Sequence, residues 1–384
     1  MDRLTPVIFT DAWGSNVSIA SLQGRDIPSP EPESELWMGA HEEGPATTDR
    51  DGRPDLAAVV AADPVAELGQ ECVGRFGPRL PFLLKVLAPG RAISIQAHPS
   101  AEQATTVRAT TGDGVYVDDW AKPELLLAIS PFEVFVGMRT LDEVADLVGR
   151  LGVLRLTDLV EKAAVSDDPV HAMLGAVLAT PADEVADLAR EVVAACVRLE
   201  GSGDELGDAA AAVVRVAEEH PDDIGLVVLL LMHHRVLQPG EYIDVAAGVL
   251  HSYVRGLGIE VLANSDNVVR AGLTSKPVNV PELLRIVDPL ADGVAGRGRV
   301  VEPGLEAFDS ASDRFQLYRV TPGRVLPGEH GPRIAFCLRG RVTLSSAART
   351  LELGDVDSAF LPAGEGTVDL EGLGEVFVVT VPEA

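Results

Sequence analysis

A block of helical periodicity interrupts a chain otherwise written in short strands. "LDEVADLVGRLGVL", "ADEVADLAREVVAACVRL" and "DELGDAAAAVVRVAEE" place apolar residues at helical spacing between Pro and Gly breaks, over residues 141–221. On both sides the texture is strand and turn, as in "RAISIQAH", "FEVFVGMR" and "EYIDVAAGVLHSYV". From about residue 285 onward it is β throughout, in "FQLYRVTPG", "IAFCLRGRVTL" and "EVFVVTV". This pattern predicts a mainly β protein with a helical insert. The parse is a first β part at 1–140, a helical insert of four or five helices at 141–221, a second part of the same β domain at 222–285, and a C-terminal β domain at 286–384.

The balance of charges limits the partners. A net charge of −28 argues against nucleic acid or an anionic membrane. An anionic small substrate is compatible only where positive charge is gathered locally. Lysine is scarce: Lys85, Lys122, Lys162 and Lys276 are all there are, which points to places where a compact, titratable ammonium is wanted, with chance as the bland alternative. Cys72, Cys196 and Cys337 form no CxxC pair, which fits a reducing compartment. The N-terminal stretch has no signal-peptide core, and "IGLVVLLLM" is too short to span a bilayer and reads as a buried helix. The expectation is a cytoplasmic protein, a monomer or weak homo-oligomer.

The stretch "SIQAHPS" raises the question of chemistry. On a strand, Ser94, Gln96 and His98 share one face, with Ile93 and Ile95 on the other. Inside a β structure, three inward polar groups need partners, and a metal or an anion supplies them. Gly90 precedes Gln96-x-His98 by five residues, and Gly240 precedes "AAG" at 246–248 by five, with His251 two residues beyond. These resemble the paired motifs of cupins, jelly-roll barrels that hold a divalent ion between facing strands, with Gln96 in place of the first His and Ala246 in place of a Pro. The one-residue gap lets Gln96 and His98 reach one ion, Gly248 permits the turn that aims His251 inward, and "KPELLLAI" offers Glu124 from a third strand. Gln96, His98, Glu124 and His251 form a nitrogen and oxygen set for which zinc is the leading ion. The other histidines read blandly: His233 and His234 as the end of the apolar helix, and His41, His171, His220 and His330 as turn or solvent residues.

Taken together, "ELWMGAH", "FLLKVLAPGRAISIQAHPS", "KPELLLAI", "PFEVFVGMR" and "LQPGEYIDVAAGVLHSYVRGLGIEVLANSDNVVRAGLTSK" resemble type I mannose-6-phosphate isomerases. The likeness is specific over residues 1–140 and about 222–280, and looser elsewhere. It implies interconversion of mannose 6-phosphate and fructose 6-phosphate, serving GDP-mannose biosynthesis, with one zinc per chain on Gln96, His98, Glu124 and His251. It also implies an essential Arg270, active-site lysines at Lys85, Lys122 and Lys276, a pocket serine and tyrosine at Ser94 and Tyr253, and pocket acids at Glu260 and Asp266. The reaction passes through a cis-enediol, so zinc and Arg270 would stabilise charge on the sugar oxygens. Glu260, Asp266 and Lys122 are candidates to carry the proton, and Lys85 and Ser94 with Lys276 to hold the phosphate.

Bland alternatives stand beside these roles: Arg270 paired with Asp266 or Glu260, Tyr253 as packing, Lys276 as a solvated loop residue. The chain departs from the family pattern at Ala121, where a pocket His is expected before "KPE", at "DAWGS", and at Asn264. Ala121 cannot transfer a proton, which motivates a sugar-phosphate-sensing paralogue as a competing reading; another cupin metalloenzyme, such as an iron-dependent dioxygenase, is a second. In the C-terminal domain the second cupin pattern recurs as Gly354 and Pro362-Ala363-Gly364. Thr367 stands there in the ligand position, predicting a metal-free barrel.

Overall fold

The structure is a computed structural model and describes residues 1–383. Its centre is a pair of facing antiparallel sheets. The first runs, in spatial order, Val269–Gly272, Ile95–Ala97, His251–Arg255, Phe132–Met138 and Met232–Leu237. The second runs Val294–Arg297, Glu241–Val245, Glu124–Ala128, Gly258–Ala263, Phe82–Leu87, Glu35–Met38 and Val7–Phe9. Strand alternation divides each sheet into two chemically different faces. On the second sheet Phe82, Leu84, Val86, Leu125, Leu127, Ile259 and Val261 face outward, against Phe308, Phe336 and Phe377 of the C-terminal sheet. The opposite parity carries Leu87, Leu126 and Ala128, which meet Phe132, Val134, Val136 and Tyr253 of the first sheet in an inner core. Lys85, Glu124 and Glu260 share that inward parity, so the chain places three charges in the gap between two sheets.

The helices Leu141–Leu151, Leu154–Ala163, Pro169–Leu178, Ala182–Leu199 and Glu205–Glu219 follow one another without an intervening strand. Their apolar faces cover the outer face of the first sheet, where Ile95, Ala97, Phe135, Val254 and Ala271 join Leu147, Leu188, Val192 and Val213 in one core. The run "IGLVVLLLM" contains the wholly buried helix Gly225–Leu230. Ile93 departs from the expectation: the strand spans only Ile95–Ala97, and Ile93 packs instead toward the inner core.

His233 and His234 do not end the apolar helix. Both lie on the strand Met232–Leu237, and His234 Nε2 sits 2.9 Å from Glu133 Oε1. Helix Gly225–Leu230 is cut short because the next residues are recruited to pair with Phe132–Met138.

The C-terminal sheet takes in both ends of the chain. Asp2–Thr5 pairs with Ser358–Leu361 and Thr47–Thr48 pairs with Asp2–Thr5, so the first residues close a sheet otherwise built from the last eighty or so. Within that sheet Thr367 Oγ1 donates to Glu329 Oε1 at 2.5 Å.

Gly248 connects the layers that matter. It adopts φ +83°, its N–H donates to the His98 carbonyl at 2.9 Å, and its carbonyl accepts from Asp288 N at 3.0 Å. An added Cβ would lie 3.0 Å from the Ile286 carbonyl oxygen. Gly248→Ala should therefore lower the unfolding free energy by about 1–2 kcal/mol, the cost of a side chain in the left-handed region. Chemical denaturation of both proteins measures this, and equal midpoints would refute the reading of the turn.

Candidate metal centre and adjoining pocket

Strand register sets three site residues side by side. His251 lies opposite Gln96, and Gln96 lies opposite Arg270, across three adjacent strands of the first sheet. Glu124 opens the strand Glu124–Ala128 on the facing sheet. His98 and His251 are fully buried and Glu124 nearly so.

Hydrogen bonding then determines what these groups show to one another. His98 Nδ1 lies 2.7 Å from the Asn267 carbonyl, and His251 Nδ1 lies 3.1 Å from the Val249 carbonyl. A carbonyl only accepts, so each Nδ1 carries the proton and each Nε2 presents a bare lone pair. Those lone pairs point at a carboxylate: His98 Nε2 is 3.2 Å from Glu124 Oε1, and His251 Nε2 is 3.4 Å from Glu124 Oε2. Although the first distance is short, His98 Nε2 has no hydrogen-bond partner, as expected when two acceptors meet. Protonating the ring would repair the contact, but burial pushes the His98 pKa down to about 4, against the pull of Glu124. A cation between the three groups satisfies all of them at once. Gln96 completes the ring, with its amide 3.3 Å from His251 Nε2. Turning that amide over, which leaves its shape unchanged, aims an oxygen at the same point. The donor set suits zinc, and the two Nδ1–H···O=C bonds are the orienting contacts that imidazole ligands require.

Asn267 holds this arrangement from behind. Its carbonyl fixes His98. Its side-chain oxygen accepts from Val117 N at 2.9 Å, and its Nδ2 donates to the Asp118 and Trp120 carbonyls at 2.8 and 2.9 Å. The loop so tied leads into Lys122 and Glu124. Trp120 is further clamped between two guanidiniums, Arg79 at 3.3 Å and Arg314 at 3.9 Å from its ring centre.

Beside the centre opens a cavity of about 610 Å³, lined by Ser94, Gln96, Lys85, Lys122, Glu124, Tyr253, Glu260, Arg270 and Lys276 among others. That volume is in the range of ~300–1,000 Å³ usual for small-molecule clefts. At its inner end Lys85, 6% exposed, donates to Glu35 Oε1 at 2.9 Å and lies 3.1 Å from Glu260 Oε2. Glu260 and Lys85 are directly opposite each other in the sheet. Burial pushes the Glu260 carboxyl up to about 7, with Lys85 opposing and the charge of Glu124 adding to the rise. Burial would strip the Lys85 ammonium of its proton, but Glu260 and Glu35 outweigh it and hold that pKa above its ordinary value. Lys122 Nζ stands 3.2 Å from Glu124 Oε1. The Tyr253 hydroxyl donates to Glu124 Oε2 at 3.5 Å, and its ring packs edge-on against Phe132. Arg270 is different. Burial lowers its pKa, yet among the described residues its guanidinium makes no hydrogen bond or ion pair with Asp266, Glu260 or any other group. It is a bare cation facing the cavity.

Asp266 is not brought into the cavity lining. Its Oδ2 lies 3.2 Å from His41 Nε2, and His41 is buried against the edge of the Trp37 ring, so His41 is no solvent residue. His41, Glu43 and Asp266 are close enough together to suggest a second ion. However, His41 Nδ1 accepts from Glu43 N at 3.2 Å, which leaves Nε2 protonated and donating to Asp266. That trio is a closed hydrogen-bonded pair with a neighbour. His220, also expected in solvent, reaches the cavity wall from the end of the helical insert. Glu35 is the acid missed by motif reading; its only signal was the stretch "ELWMGAH".

Comparison with known proteins follows the geometry. The family model for the catalytic domain of type I phosphomannose isomerase matches residues 1–141. Mannose-6-phosphate isomerase of Salmonella typhimurium is 30% identical over 391 residues, covering 98% of each chain. That of Emericella nidulans is 34% identical over 379 residues, covering 85% of this chain and 81% of its own. A crystal structure of mannose 6-phosphate isomerase bound with zinc and yttrium superposes with a TM-score of 0.87 at 27% identity, over 100% of both chains. Since the likeness runs the whole length and takes in every strand that carries the centre, the chain belongs to the type I mannose-6-phosphate isomerase family.

Proposed function

We propose that this protein is a zinc-dependent isomerase that interconverts mannose 6-phosphate and fructose 6-phosphate through a cis-enediol, with one ion per chain held by Gln96, His98, Glu124 and His251. The observation that carries the reading is the convergence of two buried imidazole lone pairs on a buried carboxylate with no donor among them. Zinc bound there supplies Lewis-acid polarisation of the sugar oxygens at C1 and C2. In fold terms we read the facing sheets as a cupin barrel in two sequence parts, 1–140 and 222–285. Residues 141–221 are the inserted helical domain, and 286–384 a second cupin-like domain completed by the N-terminal strand. The setting is cytoplasmic mannose activation, with no nucleic acid or membrane partner. Among the described residues no helix is long and apolar enough to cross a membrane.

The residues around the centre divide the work by their charge state. Glu260, a carboxyl poised near neutral pH, can both take and return a proton, and it carries hydrogen between C1 and C2. Lys85, already committed to Glu35 and Glu260, holds that carboxyl in place and leaves phosphate binding to others. Arg270, without a hydrogen-bond or ion-pair partner among the described residues, stabilises the negative charge that develops on the sugar oxygens. Lys122 supplies a proton-bearing group next to the centre. Ser94 and Tyr253 shape the wall and orient the sugar, and Lys276 takes part in holding the phosphate. Asp266 stays on His41 and has no step of its own.

A coupled assay of mannose 6-phosphate conversion tests the whole reading. Activity should disappear when a chelator strips the metal and return with one equivalent of zinc. Full turnover by metal-free protein would sink the proposal. For the proton carrier, Glu260→Gln should lower kcat by roughly 10²- to 10⁴-fold, the usual contribution of a positioned acid–base group. Zinc content should stay at the wild-type level. A variant retaining near-wild-type kcat would transfer the role away from Glu260.

A further inference from the structure

A phosphorylated substrate is a dianion, and this chain carries a net charge of −28, so capture depends on unspent positive charge at the cavity. Not every cation of the cavity is available to it. Lys85 is held by Glu35 and Glu260 and Lys122 by Glu124, while Arg270, though unpaired, is assigned to the sugar oxygens beside the metal centre rather than to the phosphate. Two remain: Lys276 on one rim, and Arg91, which no family motif singled out. Both are exposed, and among the described residues neither side chain makes a hydrogen bond or ion pair. The acids on that rim are engaged: Asp11 Oδ2 accepts from Ser34 Oγ at 2.9 Å, and Glu219 Oε2 accepts from Ala92 N at 3.3 Å.

The backbone of Arg91 is fixed from two directions. Gly90 N and Arg91 N both donate to the Trp13 carbonyl, at 2.9 and 3.0 Å. On the other side Ala92 N donates to Glu219, and His220 Nε2 lies 3.3 Å from the Ala92 carbonyl, which fixes it as the donor. An N-terminal loop and the end of the helical insert therefore grip the residues flanking Arg91. Gly90 is packed so closely that a Cβ there would meet the Gly14 carbonyl oxygen at 2.9 Å. Only the side chain is free, on a backbone hydrogen-bonded on both sides, and a guanidinium fork matches two oxygens of a phosphomonoester.

We propose that Arg91 binds the substrate phosphate, sharing it with Lys276 across the cavity rim. This rests on the sugar-phosphate reading of the site, and the experiment separates the two. Wild type, Arg91→Ala and Arg91→Lys are assayed with mannose 6-phosphate, with inorganic phosphate as competitor and zinc content as a control. The expected result is a KM raised roughly 10- to 100-fold in Arg91→Ala, the loss of one charge-assisted contact. The loss should fall on KM more than on kcat, the inhibition constant of phosphate should rise in parallel, and Arg91→Lys should be intermediate. Unchanged KM and phosphate inhibition in Arg91→Ala would overturn the role of Arg91 while leaving the isomerase reading intact. Should wild type show no turnover at all, the isomerase reading fails. Calorimetric titration with inorganic phosphate then decides the proposal: weaker binding by Arg91→Ala supports it, and equal binding overturns it.

Discussion

Two imidazole lone pairs and a carboxylate, all buried, face one another across the gap between two sheets. Left to themselves these groups repel, and burial deprives them of the solvent that would screen the repulsion. Much of the surrounding structure holds them in that unfavourable arrangement. Backbone carbonyls of Asn267 and Val249 take the Nδ1 protons, so neither ring can turn its N–H toward Glu124. Gly248 ties the turn before His251 to the His98 carbonyl. Lys122 and the Tyr253 hydroxyl approach only the carboxylate, and a cation between the three groups would stabilise all of them.

The layered architecture makes this affordable. Outer faces of both central sheets are sealed by apolar packing, the helical insert on one side and the C-terminal sheet on the other. Polar groups are confined to the inner gap, where they can pair. Lys85 sits between Glu35 and Glu260 and partly neutralises both, yet burial, with the charge of Glu124 adding to it, still raises the Glu260 carboxyl to about 7. Trp120, stacked between Arg79 and Arg314, links the C-terminal half to the loop that delivers Lys122 and Glu124. The C-terminal sheet thus touches the site mechanically without lending it a reacting group.

Local spacing made much of the site legible. Gln96 lies on the strand Ile95–Ala97 with His98 just beyond its end, Gly248 has a positive φ, and Glu124 begins an apolar run, so spacing and turn chemistry, together with the resemblance to cupin motifs, pointed to one interior. The same logic failed where a partner comes from far along the chain. His41 and Asp266 are 225 positions apart, and nothing local to either announces their pairing. His234 looked like a helix end because six buried apolar residues precede it, yet cross-strand pairing with Phe132–Met138 claimed it. Glu35 and Arg91 lie inside stretches that resemble the family, but nothing local singles them out, and like His220 each acquires meaning only from what packs beside it.

Residue order alone determined which groups can share a face, where the chain must turn, and where helices interrupt strands, because these follow from backbone periods of 2 and 3.6. It also determined the donor chemistry of the centre, since nitrogen and oxygen ligands were the only ones offered by those motifs. The tertiary structure decided charge state and availability. Whether Arg270 is paired or bare, whether Lys85 faces substrate or carboxylates, and whether Glu260 keeps its proton depend on burial and on distances of about 3 Å between segments far apart in sequence. Desolvation and Coulomb interactions act through space, and no spacing rule along a chain contains that information.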